Sequence, residues 1–187
     1  MQKRPITLAR GALAAVVALG TVFGAVPAGA ASREELDAHV RETIQNFYRT
    51  TSAGKELAGK SAGMLVFPNI IKGGVIVGGE YGEGALLVGQ STTAYYNIAS
   101  ASIGLQLGVQ EKSLVILFMT GDALAKFRQS KGWKAGVDGS VAIATLGAGD
   151  AIDTETLKKP IIAFVFSNKG LMANLTLEGS KITKIDK

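Results

Sequence analysis

The chain has no cysteine, a single histidine and a single tryptophan in 187 residues. No disulfide can staple it, so packing and hydrogen bonding must hold the fold, and thiol catalysis and cysteine-ligated metals are excluded. With only His39, zinc sites built from several His or Cys ligands are excluded too. A Ser–His–Asp hydrolase would have only His39 as its base, and His39 lies at the edge of a helical apolar stripe, where a packed or half-exposed side chain is expected. The acids offer little more. Asp150, Asp153 and Glu155 in GAGDAIDTET miss the calcium-loop spacing D-x-[DN]-x-[DN]-G and read as a solvated acidic loop. Glu80 and Glu83 in GGEYGEG lie among glycines that suggest a turn, with both carboxylates in water. These absences argue against an enzyme, and they imply neither a metal nor a cofactor.

The first 30 residues lack acidic side chains altogether. MQKRPITLAR carries Lys3, Arg4 and Arg10, GALAAVVALGTVFGAV is uncharged and apolar, and PAGA offers Ala28 and Ala30 as an A-x-A site. That order is a secretory signal peptide cleaved after Ala30. The run is shorter than the roughly 20 residues of a membrane span and ends in a helix-breaking Pro-x-Gly. No cysteine follows it, so a lipoprotein anchor is excluded. The expectation is a periplasmic or secreted chain. Of 20 basic and 15 acidic side chains, 17 basic and 15 acidic follow residue 30. A net charge of +2 leaves nucleic-acid binding without its electrostatic footprint. Residues 31–187 suit one domain with a sizeable core.

GKELAGKS, residues 54–61, matches the phosphate-cradling pattern G-x-x-x-x-G-K-[ST] letter for letter. The pattern works only where a strand leads into the loop and a helix leaves it, so that backbone N–H groups converge on phosphate. Its neighbours here are reversed. Upstream, Ser32 and Glu35 form a capping box that opens a helix at about residue 33. Leu36, Val40, Thr43, Ile44 and Phe47 fall on one stripe at helical spacing, with Arg41, Gln45 and Arg49 turned away. TTSAGKELAGKSAG reads as a loop, with one helical turn at Glu56–Leu57. From Met64 the period becomes two, and glycines punctuate short strands MLVF, GVIVGG and GALLVG. A nucleotide site is therefore excluded. LVILFM ahead of Asp122 is no companion to it, since Thr120 and Gly121 intervene and Asp122 reads as a helix cap.

The cleanest alternation runs from Ile98 to Gln110. It puts Ala99, Ala101, Ile103, Leu105, Leu107 and Val109 on the apolar side. SLVILFM is apolar throughout and is expected to be buried on both faces. GDALAKFRQSKG reads as a short helix stopped by Gly132, and NKG joins IIAFVFS to LMANLTLEG as a hairpin. Twenty of the 157 residues after the signal are glycine, above the usual ~7%. In strands such glycines mark bulges, bends or close backbone approach. The fold class is α+β: a curved, glycine-rich antiparallel β-sheet system with an N-terminal amphipathic helix and one short internal helix.

The blocks AGMLVFPNIIKGGVIVGGEYGEGALLV, SIGLQLGVQEKSLVILFMT, WKAGVDGSVAIA and FVFSNKGLMANLTLEGSKI occur in this order and resemble those of the SYLF domain family. The resemblance runs from about residue 34 to the C-terminus, so that 31–187 reads as a single SYLF-like domain. It implies lipid binding without enzyme activity, with the N-terminal helix in contact with membrane. Phosphoinositide and actin partners belong to eukaryotic members, and export argues against actin here. The expected function is binding of anionic phospholipid or a membrane surface in the bacterial cell envelope. A structural or protein-interaction module of the envelope, with the glycine-rich sheet as its docking surface, is the competing expectation. Cations for phosphate and amphipathic bodies for the acyl boundary are the groups such contact needs. Arg41, Arg49, Lys55, Lys60 and Lys72 supply the first, and Phe47 and Tyr48 the second.

Overall fold

In a computed structural model the described residues are 31–74, 77–103, 110–144, 152–167, 170–171, 177 and 179–187. The capping box works as read: Glu35 N donates to Ser32 Oγ at 3.1 Å, and α1 runs Arg33–Thr50. Its stripe is buried at Leu36, Val40, Thr43 and Phe47, and Ile44 is half-buried. Thr51 then serves both ends. Its N–H closes α1 on the Phe47 carbonyl, and its Oγ1 accepts from Gly54 N at 3.1 Å to open α2, Ser52–Lys60. The stretch expected to be a loop is thus mostly helix. Its small residues let α2 press onto α1: a Cβ on Gly54 would stand 2.6 Å from Phe47 Cζ. Residues 54–60 of GKELAGKS lie in this helix, Ser61 is its C-cap and a strand follows, so these amides belong to a helix body and form no phosphate nest.

The sheet begins with β1 (Gly63–Gly74), β2 (Val77–Val88), β3 (Ser91–Ile103) and β4 (Gln110–Phe118). Two long strands with paired glycines near their ends, Gly73 opposite Gly79, replace the three short strands that the glycine punctuation suggested. After β4 come α3 (Gly121–Gln129), β5 (Trp133–Lys134), β6 (Ala142–Ile143) and α4 (Thr154–Leu157), then β7 (Ile161–Ser167), β8 (Gly170–Leu171) and β9 (Lys181–Ile185). Thr120, not Asp122, caps α3, and the helix ends at Gln129, before Gly132. The order across the sheet is β5-β9-β3-β2-β1-β4-β7-β6, with β8 on β7. All pairs are antiparallel except β6 with β7. The α+β class holds, with helices α2 and α4 added to the expected pair.

Strand periodicity sorts the apolar side chains into two cores, one on each face of the sheet. Leu65, Phe67, Leu114, Ile116, Ala163 and Val165 join Phe127 of α3 and Trp133 on one face. Met64, Val66, Val115, Leu117, Ile162 and Phe164 meet Leu36, Val40 and Phe47 of α1 on the other. Residues 114–118 are all buried, because β4 has a covered face on each side. The sheet curls: Trp133 at one end and Ile161 near the other both lie about a Cβ contact from Gly139, at 3.0 and 3.1 Å. Ala31–Lys187 form one compact unit holding both cores.

The register departs from the expected facing at β3. Ile98 is buried, while Ala99 and Ala101 are exposed, on the side opposite to the one assigned. Leu105, Leu107 and Val109 lie outside the described residues. β1 carries an irregularity at Pro68 and Asn69, where pairing with both neighbours shifts. Proline cannot donate to a ladder, so a central strand tolerates it only at such a bulge. Gly84 makes room beside it, since a Cβ there would come 2.3 Å from the Val66 carbonyl.

Candidate functional site

α1 crosses the sheet beside this bulge, and a groove of about 430 Å³ opens between them. Its helical wall is His39, Glu42, Thr43, Asn46 and Arg49. The floor is Pro68, Asn69, Glu111, Lys112, Ser113 and Ser167. The Ser113 hydroxyl donates to the Pro68 carbonyl at 2.6 Å, which pins the bulge to β4. The Lys112 ammonium is turned to Glu80, 2.8 Å away. Arg49, Glu42 and Glu111 have no ion-pair partner among the described residues. Among the described residues the groove therefore offers one guanidinium and two carboxylates without ion-pair partners, beside amide groups of Asn46 and Asn69. It was not legible in the sequence, where only a proline inside an apolar run pointed to the bulge.

The seven residues expected to contact lipid separate. Phe47 is fully buried, its ring centroid 4.8 Å from that of Phe164 and 6.1 Å from that of Phe166. It is a core residue and is withdrawn from the contact surface. Tyr48 is half-buried against the same cluster, and burial raises its hydroxyl pKa. Arg41 is exposed on α1, Arg49 is exposed at the groove wall, and Lys55 is exposed on α2; none has an ion-pair partner among the described residues. Lys60 is exposed but held by Glu56 at 2.5 Å, and that bond keeps the Glu56 carboxyl below its ordinary pKa. Lys72 is half-buried and lies 3.4 Å from Glu80.

The acids expected in water are not there. Glu80 accepts from Lys72 and Lys112, with 9% of the Lys112 side chain exposed. Glu83 meets Lys187 at 2.6 Å, and Lys187 also donates to the Ala31 carbonyl. Asp153 is no cation ligand in its observed role. It caps α4, accepting from the amides of Glu155 and Thr156 and from the Thr156 hydroxyl, which lowers its pKa. Asp150 lies outside the described residues. His39 is exposed on the groove rim.

Among the described residues no three His, Cys, Asp or Glu side chains converge as a metal site, and no helix is long and apolar enough to cross a membrane. A curled sheet with a capped helix on it and a polar groove between them is the arrangement of a binding module. Residues 99–187 match the family described as Ysc84, Las17-binding protein actin regulator, in agreement with the SYLF resemblance of the sequence blocks. The family is one of binding or interaction domains. No curated protein matches the chain.

Proposed function

We propose that this chain binds the surface of anionic phospholipid membranes in the cell envelope, without enzymatic activity, after export on its N-terminal signal. The observation that carries the reading is the placement of Arg41, Arg49 and Lys55. All three are exposed on the helical layer and free of ion pairs among the described residues. Residues 41 and 49 are eight positions apart, about 80° around α1, so one exposed flank of the helix carries both, with Arg49 towards the groove. The apolar stripe of the same helix is spent on the sheet, so attachment is peripheral and electrostatic rather than insertional.

Each Lys or Arg near an anionic surface contributes about 1 kcal/mol. Reversing Arg41, Arg49 and Lys55 to Glu should therefore weaken vesicle binding by about a hundredfold or more, and most at low salt. Residues 31–187, which contain both cores, are sedimented with phosphatidylglycerol vesicles across a salt series. Affinity that survives the triple reversal, with the circular dichroism spectrum intact, would refute this surface. A second reading has its own observation. Ile71 and Tyr81, 51% and 48% exposed, offer an uncovered patch to a protein partner in the envelope. Protein-free vesicles separate the two, since only the first reading requires them to bind.

A further inference from the structure

The groove and the exposed patch are continuous. Glu111 on the groove floor pairs with Ile71 on β1, Ile71 pairs with Tyr81 on β2, and Tyr81 pairs with Ala99 on β3. Directly paired residues share a face, so these four form one row across the sheet at about 4.8 Å per strand. The row starts at a carboxylate and then runs over Ile71, Tyr81 and Ala99, all exposed. Beyond it Gly73 and Gly79 leave the sheet surface bare of side chains. The Tyr81 hydroxyl donates to Glu83 at 3.0 Å, which leaves its ring to the row. A polar groove opening onto a row of Ile71, the Tyr81 ring and Ala99 suits an amphipathic ligand, head at one end and chain along the other.

The groove's free charges say which head. Arg49 is the cation left for a phosphate, because the Lys112 ammonium is committed to Glu80. Glu42 and Glu111 then have no ion-pair partner among the described residues and would repel a head that carried phosphate alone. They complement a positive group held a few bonds from that phosphate. Among the described residues no aromatic side chain lines the groove, which is without the cage that suits a quaternary ammonium. A primary ammonium, with three hydrogens to donate, fits two carboxylates and the Asn46 and Asn69 amides.

We propose that the groove and the Ile71–Tyr81–Ala99 row together hold one aminophospholipid. Its phosphate is at Arg49, its primary ammonium between Glu42 and Glu111, and an acyl chain lies along the row. The inference rests on the phospholipid reading above and narrows it from a charged surface to a selected head.

The test uses residues 31–187 and two vesicle types with the same phosphatidylglycerol content, one filled out with phosphatidylcholine and the other with phosphatidylethanolamine. The expected result is about tenfold tighter binding to the ethanolamine vesicles. Glu42→Gln with Glu111→Gln should abolish that difference while leaving the phosphatidylcholine-vesicle affinity equal or higher. Ile71→Trp should add an emission that brominated acyl chains quench, against the buried Trp133 as background. Equal affinity of the wild type for both vesicles would overturn the inference and leave the surface reading standing. An ethanolamine preference that persists in the double variant would overturn it too, as a property of the bilayer. Displacement by micromolar free phosphoethanolamine would overturn the lipid assignment in favour of a soluble ligand. No binding to either vesicle would overturn both readings.

Discussion

Alanine in place of Gly54 and alanine in place of Gly59 should change stability in opposite directions, although both glycines belong to one nine-residue helix and one phosphate-loop pattern. At Gly54 a Cβ would stand 2.5 Å from Thr51 Cγ2, 2.6 Å from Phe47 Cζ and 2.7 Å from Phe47 Cε2. Neither neighbour can yield. The Phe47 ring is wedged against Phe164 and Phe166, and Thr51 is buried with its hydroxyl in the cap of α2. Overpacking of this kind costs about 1–3 kcal/mol, while alanine's helix propensity returns up to about 1. Gly54→Ala should therefore destabilise by roughly 1–2 kcal/mol.

At Gly59 nothing lies within 4 Å of the added Cβ, and the residue is exposed. Only the propensity remains, so Gly59→Ala should stabilise by about 0.5–1 kcal/mol. For a domain of this size each kcal/mol moves the melting temperature by about 2–4 °C, well within reach of calorimetry or a circular dichroism melt. Gly54→Ala melting at or above the wild type would refute the packing of α2 on Phe47. Destabilisation by Gly59→Ala would show that the second glycine makes a contact absent from this structure. Titration with Mg-ATP adds an independent check. The helical setting predicts no binding, and micromolar affinity lost in Lys60→Ala would overturn it.

Phe47→Ala should cost about 3–5 kcal/mol in urea unfolding, the range for a buried aromatic, and not merely weaken vesicle binding. Glu80→Gln leaves the nearly buried Lys112 ammonium without its carboxylate and should cost about 3 kcal/mol; adding Lys112→Met should recover most of it. All four tyrosines, Tyr48, Tyr81, Tyr95 and Tyr96, have raised pKa values, with burial the first cause in each. Below pH of about 10 the phenols are protonated in both states and this contribution is intact. As pH climbs further the unfolded chain releases its protons first, so stability falls through the window above about 10. Phenolate absorbance of the folded protein should accordingly lag that of the denatured protein, and coincident titrations would refute the burial.

α1 was legible because its signals are local: a capping box three residues wide and a stripe whose period survives in any environment. The burial of SLVILFM was legible for a related reason, since a strand apolar on both faces has no exposed solution. α2 was missed because Gly54 and Gly59 lower intrinsic helix propensity, and what restores the helix is tertiary contact with Phe47. The pairing of Glu80 with Lys112 spans 32 positions and depends on the register of β1 with both neighbours. The facing at Ala99 failed for the same reason. In Ile98-Ala-Ser-Ala-Ser the small residues alternate without a strong apolar phase, and Ile98 alone sets which side is buried. The groove needed both the bulge at Pro68 and the crossing of α1 over it.

The three consecutive candidates at the end of α1 show why a helix that looks like a membrane anchor need not insert. Successive helical residues point about 100° apart, so Phe47 enters the core, Tyr48 lies at its edge and Arg49 faces the groove. To embed the stripe in a bilayer, Leu36, Val40 and Phe47 would first have to leave the sheet. Each is worth about 1.5–3 kcal/mol in its present site and about the same in hydrocarbon. The exchange thus gains nothing from burial and also exposes Val115, Phe164 and Phe166 beneath. Attraction of about 1 kcal/mol for each of Arg41, Arg49 and Lys55 acts equally on the docked helix. With the helix docked or undocked, the cations contribute the same, and only docking keeps the second core covered. Any membrane contact through α1 must therefore be made by its exposed residues, with the fold unchanged.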